Sequence, residues 1–244
     1  MQLDGKTAIV TGASSGIGAA IARLLRGQGV RVAGGARRLD RVDVDVPLAL
    51  DVTDSASCKA FVDRAIAELG GLDILVNNAG LALGREPFDD STEDDEETVL
   101  ETNVHGLIRM TRLCLPHLRD GGHIVNMGSV AGMVAYPNGA LYVASKFAVH
   151  GFTQALREDL LGRPIRLTTV APGLVDTEFS RVRFRGDEEK ARAVYEGVPF
   201  GGALTAEDIA DCMLFALTRP LHVNVDEIVI KALAQASGAR IHRE

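Results

Sequence analysis

Residues 6–18 read KTAIVTGASSGIG, and residues 19–29 continue as AAIARLLRGQG. Lys6–Thr11 predicts a short buried strand, the glycine-rich turn Gly12–Gly18 follows it, and the apolar spacing after the turn predicts a helix. Glycines let the backbone approach a pyrophosphate closely, and the free N–H groups and dipole of a helix N-terminus favour its negative charge. A strand, a glycine turn and a helix in this order therefore predict a dinucleotide-binding site.

Further strand patterns follow along the chain and alternate with helical ones. The strands are predicted at Val30–Ala36, Leu48–Leu50, Asp73–Val76, His123–Met127, Ile165–Val170 and Glu227–Ile230. The helices are predicted from the N-cap Asp54 to Gly70, from Ser91 to Arg119, from Tyr142 to Leu161, and from the N-cap Thr205 to Leu217. Together with the first strand, these elements predict an α/β fold: a single Rossmann-like, doubly wound, mainly parallel seven-stranded sheet with helices on both faces.

The composition fits one folded domain of ordinary size. The chain has 244 residues, of which 46% are hydrophobic, and this is enough material to bury a large core. We therefore expect a single domain over residues 1–244. A net charge of −7 argues against a nucleic-acid surface, although local basic clusters can still hold small anions.

Neither export nor membrane insertion is expected. No basic segment followed by an apolar run opens the sequence, and no run of about 20 apolar residues occurs. Cys58, Cys114 and Cys212 are far apart and form no C-x-x-C, so we expect no disulfide framework and no metal site. A reducing cytoplasm fits this cysteine usage best.

The second predicted strand ends in Arg37 and Arg38, where an NAD-specific protein usually carries a carboxylate for the ribose 2′-hydroxyl. A guanidinium can pair with the 2′-phosphate of NADP in fork geometry, so we expect NADP(H) as the cofactor. The alternative is a pair of solvated arginines after a strand. Asp40, Asp43 and Asp45 follow closely, so the two arginines are not the whole electrostatics of this region.

Polar and small residues also stand where the third and fourth strands end. Asp51 and Val52 are placed to hold the adenine side of a nucleotide, and Asn77–Gly80 lies where open α/β sheets bind ligands. The segment Asn77–Gly80 could equally serve only to turn the chain. Asn103 lies inside a predicted helix, where asparagine is a mediocre helix former, so we expect a kink with a functional use.

Tyr142 and Lys146 are four residues apart in a predicted helix, and Ser129 lies just past the end of the fifth strand. Side chains at i and i+4 share one helix face, so the ammonium can approach the phenol. A free phenol has a pKa of about 10, and lowering it by about three units requires roughly 4 kcal/mol. An ammonium at about 4 Å supplies roughly that at an effective dielectric near 20. The pair can make an acid or base of Tyr142; the alternative is an accidental spacing on a surface helix.

A polar segment follows the sixth strand, and residues 177–197 read TEFSRVRFRGDEEKARAVYEG. Such a long excursion is usually a lid or a binding loop, and we expect a substrate lid at about residues 176–204. Arg181, Arg183 and Arg185 alternate within it and could orient a substrate carboxylate. The alternative is a solvated face.

Several motifs, TGASSGIG, NNAG, Asn103, Ser129 and YVASK, together resemble the short-chain dehydrogenases/reductases over nearly the whole chain. The resemblance implies a catalytic tetrad of Asn103, Ser129, Tyr142 and Lys146. It also implies a set of cofactor contacts: Gly12, Ser14, Ser15, Ile17, Gly18, Arg37, Arg38, Asp51, Val52, Asn78, Ala79, Gly80, Tyr142, Lys146, Pro172, Gly173, Val175 and Thr177.

A closer likeness is to the NADP-dependent 3-hydroxy acid dehydrogenases, which act on serine, allo-threonine and related acids. NNAGLALGREP, PGLVDTEFSRVRFRGD, HVNVDEIVI and the ending IHR carry it. It implies a small 3-hydroxy acid or its 3-oxo partner as substrate, held near Ser129, Tyr142 and the lid arginines. The segment between Arg38 and Asp51 is shorter than in the family, so the resemblance does not define the sheet edge or the adenine pocket there. GVPFGGALTAED is longer by a few residues and is expected to reshape the lid.

The resemblance supplies a hypothesis for reduction. Ser129 would hydrogen-bond the substrate carbonyl and Tyr142 would protonate it, while NADPH supplies the hydride. Lys146 would lower the pKa of the phenol and hold the cofactor ribose, and Asn103 would anchor a water for proton resupply. The alternatives are a broad carbonyl reductase and, in a different class, a non-catalytic NADP-binding regulatory protein. Long apolar helices, through which the family commonly associates, imply a homo-oligomer, either a tetramer or a dimer.

Overall fold

The computed structural model describes residues 2–244. Its strands are β1 (Thr7–Thr11), β2 (Arg31–Ala36), β3 (Val46–Ala49), β4 (Leu72–Asn77), β5 (Leu118–Met127), β6 (Arg166–Pro172) and β7 (Glu227–Ile230). They form one sheet in the order β3-β2-β1-β4-β5-β6-β7. All neighbouring strands run parallel, so the predicted fold is confirmed and the sheet is parallel throughout.

Helices cover both faces of the sheet. In residues 2–244 they are α1 (Gly16–Gly27), α2 (Ser55–Leu69), α3 (Glu93–Leu100), α4 (Gly106–Cys114), α5 (Ala140–Asp159), α6 (Phe179–Arg183), α7 (Glu188–Ala193) and α8 (Ala206–Leu217). One face packs against α1 and α8, through residues such as Ile21 and Met213. The other face packs against α2, α4 and α5, through Phe61, Met110 and Leu156. This is the doubly wound arrangement predicted from the sequence.

The central strand β1 connects the core to the site. All its residues are buried, and they alternate between the two cores, with Val10 facing α1 and α8 and Ile9 facing the other helices. At its carboxyl end, the Thr11 hydroxyl accepts hydrogen bonds from the main-chain N–H groups of Asn78 and Ala79, both at 3.0 Å. The glycine turn and the loop after β4 are therefore held side by side at one edge of the sheet.

The short connection between β2 and β3 leaves the sheet edge intact. It contains only a 3₁₀ turn at Leu39–Arg41, yet β3 pairs in parallel with β2, for example Ala33 with Val46. Val42 and Val44 are buried and join the core beside α1. A Cβ at Gly34 would lie 3.1 Å and 3.0 Å from these two valines, so the glycine makes room for them. The sheet edge, which the resemblance did not define, is therefore complete, and Val42 and Val44 fill the core space beside α1.

The helix predicted from Ser91 to Arg119 is shorter and interrupted. α3 passes into a π-helical turn, Glu101–His105, then into α4, and the 3₁₀ turn Leu115–His117 leads directly into β5. The end at Arg119 was wrong: Pro116 has no N–H to continue the helical hydrogen bonds, and Leu118 already pairs with Leu72 in the sheet. The kink expected at Asn103 is confirmed, because the π-helical turn is centred on it.

The lid and the C-terminal tail pack against each other. The main chain of Glu244 donates to Gly197 at 2.9 Å, and the rings of Phe200 and His242 stack with centroids 6.4 Å apart. Phe200 has a φ of +59°, and glycines with positive φ flank it at positions 197, 201 and 202. The extra residues of GVPFGGALTAED thus form a turn against the tail before α8 begins with its Thr205–Asp208 capping box.

Candidate active site

A cavity of about 770 Å³ opens at the carboxyl edge of the sheet. This is the edge at which open α/β sheets bind ligands. Every residue for which the resemblance implies a cofactor contact lines this cavity, from Gly12 in the glycine turn to Thr177 at the start of the lid. Ser129, Tyr142 and Lys146 line it as well, so the structure brings the implied cofactor contacts and three tetrad members together.

The glycine turn has the shape and the free donors that a pyrophosphate needs. Gly12 has a φ of +70°, and a Cβ at Gly18 would lie 2.3 Å from the carbonyl oxygen of Gly12. Ser15, the N-cap of α1, makes no capping hydrogen bond with its side chain. No capping side chain therefore occupies the first main-chain N–H groups of α1. These groups belong to residues that line the cavity, and they can donate hydrogen bonds to a bound anion.

The two arginines after β2 differ in their partners. Arg38 donates to the Ser15 hydroxyl at 2.9 Å and pairs with Glu178 of the lid, also at 2.9 Å. Arg41 binds the other oxygen of Glu178 at 3.1 Å, and the bond from Arg38 is the main reason why the pKa of that carboxyl is lowered. Arg37 forms no ion pair within residues 2–244. Two of the three guanidinium groups at this end thus already hold an anion.

The aspartates after Arg38 do not neutralise this arginine group. Asp43 and Asp45 pair with Arg26 of α1, at 3.1 Å and 3.5 Å, and Asp45 also accepts from the main-chain N–H of Val32 at 2.9 Å. They fasten the short β2–β3 connection to α1. The carboxylate that faces the arginines is instead Glu178, which sequence reasoning missed because it is 140 residues away from Arg38.

The side of the cavity at which the resemblance implies adenine binding is shaped by the ends of β3 and β4. Asp51 accepts hydrogen bonds from the main chain and hydroxyl of Thr53, at 3.0 Å and 2.7 Å. Burial opposes ionisation of Asp51, but these bonds and the charge of Arg37 hold its pKa below the ordinary value. The Asn78 side chain donates to the Thr11 carbonyl at 2.9 Å, so it braces the glycine turn from behind.

The phenol of Tyr142 stands beside the Ser129 hydroxyl. Burial raises the pKa of Tyr142 to about 12, and a hydrogen bond with Ser129 and the charge of Arg183 offset this only in part. Phe179 of the lid meets the Tyr142 ring edge-on, with centroids 5.5 Å apart. Tyr142 is therefore a neutral phenol in a partly enclosed site, with a proton that it can donate.

Lys146 faces the main chain rather than the phenol. Its Nζ donates to the Met127 carbonyl oxygen at 2.8 Å and lies 5.7 Å from the centroid of the Tyr142 ring. Burial lowers the pKa of Lys146 itself to about 8. Burial dominates the pKa of the phenol in this arrangement, and the ammonium is directed at a carbonyl, so the lowering of the phenol pKa by Lys146 stays a prediction.

Asn103 lies behind the cavity wall and is fully buried. Its Oδ1 accepts from the main-chain N–H of Leu81 at 2.8 Å, and its Nδ2 donates to the Leu81 carbonyl at 2.8 Å and to the Ser145 hydroxyl at 3.0 Å. The amide thus ties the loop after β4 to α5. A Cβ at Gly80 would lie 3.1 Å from Asn103 Oδ1 and 3.7 Å from Lys146 Nζ, so both polar groups lie close to the α-carbon of this glycine.

The three lid arginines expected at the crevice separate in the structure. Arg181 pairs with Glu188 at 2.7 Å and Arg185 pairs with Asp95 at 2.6 Å, and neither lines the cavity. Their placement over the substrate was wrong, because acidic residues of the lid and of α3 hold them on the outside. Arg183 does line the cavity, and its guanidinium carbon lies 5.9 Å from the centroid of the Tyr142 ring.

Three further side chains of this region were missed by sequence reasoning: Arg85, Tyr136 and Arg243. All three line the cavity at the end opposite the glycine turn. Arg85 and Arg243 belong to NNAGLALGREP and to the ending IHR, two of the stretches that carry the subgroup likeness. These two stretches were the only signal in the sequence that could have pointed to Arg85 and Arg243, since no local pattern marks either arginine as a binding residue.

A partly buried imidazole, that of His150, lies one helical turn after Lys146. His150 Nδ1 is 3.1 Å from a carboxylate oxygen of Glu227 on β7. A Cβ at Gly128 would lie 3.0 Å from His150 Nε2, so the ring fills the space behind Ser129. Burial, and then the charge of Lys146, lower the pKa of His150, whereas Glu227 acts against them. The pair braces α5 against the sheet behind the site.

Within residues 2–244, no group of three or more His, Cys, Asp or Glu side chains is arranged to hold a metal ion. Over the same residues, no helix has both the length and the apolar character that a membrane span requires.

Comparison with known proteins identifies the family. The family model described as short chain dehydrogenase matches residues 6–188. The chain is 40% identical to the NADP-dependent 3-hydroxy acid dehydrogenase of Schizosaccharomyces pombe, covering 100% of this chain and 98% of that protein. It is 41% identical to the protein of the same description from Salmonella typhi, covering 96% and 98%. The chain belongs to the short-chain dehydrogenase family.

A solved structure agrees with this assignment. The closed form of a serine dehydrogenase complexed with NADP⁺ superposes with a TM-score of 0.90 at 40% sequence identity, covering 98% of this chain and 100% of that one. The fold, the family resemblance and the oxidoreductase class expected from the sequence are therefore confirmed.

Proposed function

We propose that the protein is an NADP(H)-dependent oxidoreductase that interconverts a hydroxyl and a carbonyl group on a small 3-hydroxy acid or 3-oxo acid. The observation that carries the proposal is the meeting of Ser129, Tyr142 and Lys146 in one cavity with an arginine, Arg183, beside the phenol. The first three groups suit a proton transfer to or from oxygen. The guanidinium suits a carboxylate on the same small molecule.

The residues of the cavity fit NADP(H). The uncapped start of α1 suits the pyrophosphate, Arg37 and Arg38 suit the 2′-phosphate, and Asp51 and Val52 border the adenine side. The relatives described as NADP-dependent and the solved NADP⁺ complex support this choice of cofactor. When bound, NADP(H) supplies or accepts the hydride.

The chain's own residues handle the oxygen and the proton. The Ser129 hydroxyl orients the reacting oxygen, and Tyr142 gives it a proton from its phenol during reduction or removes one during oxidation. Lys146 has donors beyond the one that Met127 uses, and these can hold the cofactor ribose. An oxygen anion or phenolate that develops at Tyr142 is stabilised by the cations around it, Arg183 and Lys146.

Asn103 has a positioning role in this proposal. Because its amide is used by Leu81 and Ser145, we assign the water of the proton route to the main chain of the π-helical turn rather than to the side chain. The side chain then fixes the loop after β4 against α5. This keeps Gly80 close to both Asn103 and Lys146 and maintains the distance between the loop after β4 and the ammonium.

The substrate proposal rests on the cavity and on the relatives. Serine, allo-threonine and 3-hydroxypropionate are the type of molecule that would place a hydroxyl at Tyr142 and a carboxylate at Arg183. The alternative within the same reaction class is a broad carbonyl reductase for ketones and aldehydes. The experiment is a panel of hydroxy acids, aldehydes and ketones followed by NADP(H) absorbance, with each acid paired with its methyl ester. Preference for the free acids supports the proposal, and equal rates on acids and esters contradict it.

The wider setting is also a proposal. We propose that residues 1–244 act as one NADP-binding oxidoreductase domain with a lid at about residues 176–204, in the cytoplasm. We further propose a homo-oligomer, tetramer or dimer, because Phe147 on α5, Phe215 on α8 and Leu233 in the tail are exposed apolar side chains. Sedimentation in solution tests the association, and a monomer at micromolar concentration contradicts it.

A further inference from the structure

The hydroxyl group of Tyr195 connects the end of the lid to its beginning. Tyr195 follows α7, and its hydroxyl donates a hydrogen bond to the main-chain carbonyl of Val175 at 3.1 Å. The same oxygen lies 2.6 Å from the Ser180 hydroxyl in α6. A phenol has one proton to donate, and Val175 receives it, so the Ser180 hydroxyl is the donor of the second bond. One side chain thus fastens two points of the segment 175–180.

The Tyr195 hydroxyl stays protonated in this position. Burial raises the pKa of Tyr195, and hydrogen bonds with the Ser180 hydroxyl and the main chain of Thr177 offset this only in part. Val175, Thr177, Ser180 and Tyr195 all line the cavity. The half-buried phenol is therefore a hydrogen-bond donor on the side of the lid that faces the cavity, and it contacts three positions of the segment 175–180.

The segment 175–180 lies between the glycine turn and the phenol of Tyr142. A Cβ at Gly16 would lie 3.3 Å from the Cβ of Thr177, so this part of the lid packs closely against the start of α1. Two residues further on, Phe179 meets the Tyr142 ring edge-on, with centroids 5.5 Å apart. The segment therefore sets the width of the cavity between α1 and the phenol.

The main chain around Val175 is held from two directions. The main-chain N–H of Asp176 donates to the Leu204 carbonyl at 2.8 Å, and that of Leu204 donates to the Leu174 carbonyl at 3.0 Å, as in a parallel ladder. The Tyr195 hydroxyl holds the carbonyl of Val175 itself. The N–H of Val175 makes no hydrogen bond within residues 2–244, and Val175 lines the cavity. A main-chain donor in a fixed position is therefore available to a bound molecule.

We propose that Tyr195 is a positioning residue: through Val175 and Ser180, its hydroxyl fixes the segment 175–180, so that a bound cofactor presents its reacting ring to the substrate beside Tyr142. This inference rests on the proposed function and deepens it. Transfer between two bound molecules requires the reacting atoms to be aligned at about 3–3.5 Å. Loosening the segment therefore lowers the rate far more than the affinity, because the groups that suit the phosphates belong to α1 and to the end of β2.

A spectroscopic experiment tests the positioning without turnover. Tyr195→Phe keeps the ring and removes the hydroxyl, and NADPH is titrated into this variant and into wild type. We expect the Kd of NADPH to change less than about threefold, whereas the fluorescence lifetime of the bound reduced nicotinamide falls at least about twofold because the ring moves more freely. Arg181→Gln breaks an ion pair of the same lid outside the cavity, so it should change neither quantity.

Steady-state kinetics with NADPH and malonic semialdehyde give the second readout. We expect Tyr195→Phe to lower kcat at least about tenfold, while the KM for NADPH changes less than about threefold. Ser180→Ala leaves the bond to Val175 and removes the bond from Ser180, so it should lower kcat by a smaller factor. Ser180→Ala also serves as the test if Tyr195→Phe does not fold.

The possible results separate positioning from packing. An unchanged kcat together with an unchanged lifetime in Tyr195→Phe overturns the positioning role. A lower midpoint of thermal unfolding with both quantities unchanged overturns it as well, because the hydroxyl then only stabilises the lid. If wild type turns over no hydroxy acid or oxo acid but the lifetime falls in Tyr195→Phe, the proposed function is contradicted and the positioning of the cofactor by Tyr195 stands.

Discussion

The ammonium of Lys146 donates a hydrogen bond to the main-chain carbonyl of Met127 at 2.8 Å, and its Nζ lies 5.7 Å from the centroid of the Tyr142 ring. The charge of Lys146 is thus held at the end of β5, next to the loop that carries Ser129. Burial depresses the pKa of this lysine to about 8 and raises that of Tyr142 to about 12. Both shifts favour the neutral forms of Lys146 and Tyr142. The bound substrate and cofactor act on two groups with these shifted pKa values.

The depressed pKa of Lys146 predicts a pH dependence of stability. Between the pKa of about 8 in the folded protein and the ordinary value of 10.5, the unfolded chain holds the proton that the folded chain has lost. Stability from this group therefore rises as the pH increases through that window, by about 2 kcal/mol between pH 8 and pH 10. The measurement is the free energy of unfolding of wild type and Lys146→Met against pH, in buffer free of NADP(H). Wild type should gain on the variant over this range, and parallel curves would show that Lys146 is not depressed.

Glu178 is predicted to compete with the 2′-phosphate for the arginines after β2. Its two oxygens bind Arg41 and Arg38, and Arg38 lines the cavity where a phosphate at this end would lie. Glu178→Gln should therefore tighten NADP⁺ binding several-fold and leave NAD⁺ binding nearly unchanged, as measured by calorimetry. Glu188→Gln, which breaks only the Arg181 pair outside the cavity, is the matched control. Weaker NADP⁺ binding in Glu178→Gln would mean that the carboxylate holds the lid in a binding-competent position instead.

Two glycines of α1 are predicted to respond in opposite directions. A Cβ at Gly18 would lie 2.3 Å from the carbonyl oxygen of Gly12, so Gly18→Ala should destabilise the protein by more than about 1 kcal/mol and impair NADPH binding. Nothing lies within 4 Å of a Cβ at Gly27 in the last turn, so Gly27→Ala should stabilise the helix by roughly 0.5–1 kcal/mol. Chemical unfolding of both variants checks this. Equal effects at the two positions would contradict the close approach in the glycine turn.

The pair of His150 and Glu227 is predicted to support Ser129 from behind. His150→Ala removes a ring that fills the space next to Gly128, so we expect a fall in kcat of about tenfold with a smaller change in the Kd of NADPH. His150→Asn keeps a polar group and should recover part of kcat. Steady-state kinetics and NADPH fluorescence titration give the two quantities. An unchanged kcat in His150→Ala would show that His150 and Glu227 only pack α5 against the sheet and do not support Ser129.

Much of the fold was predictable because it depends on local patterns. The glycine turn, the capping residues Asp54 and Thr205, and the short apolar strands each report on their own neighbourhood, and all appear at or near the predicted positions. The edge strand β3 forms despite the short connection, because Val42 and Val44 fill the core space that a connecting helix would otherwise cover. The two valines fit because residue 34 on β2 is a glycine. This contact between separate parts of the chain is not visible in any local sequence pattern.

The position of the site was also predictable, but the ionic partners of its charged residues were not. Ser129 and Tyr142 meet because both follow the carboxyl edge of the sheet, which the alternation of strands and helices already implies. The partners of the arginines were not predictable, because each ion pair joins residues distant in the chain, as Arg185 and Asp95 do. The environment of Tyr142 was hidden for a related reason: the spacing to Lys146 is visible in the sequence, but the burial that raises the pKa of the phenol is not.

The most direct test of the central proposal compares wild type with Tyr142→Phe in one assay. NADPH oxidation is followed with malonic semialdehyde, the 3-oxo partner of 3-hydroxypropionate, while NADPH binding is measured separately by its fluorescence. We expect Tyr142→Phe to bind NADPH as wild type does and to lose at least about a thousandfold in kcat, because the phenol is the proton donor. A variant that turns over at a rate close to wild type would contradict this role of the phenol.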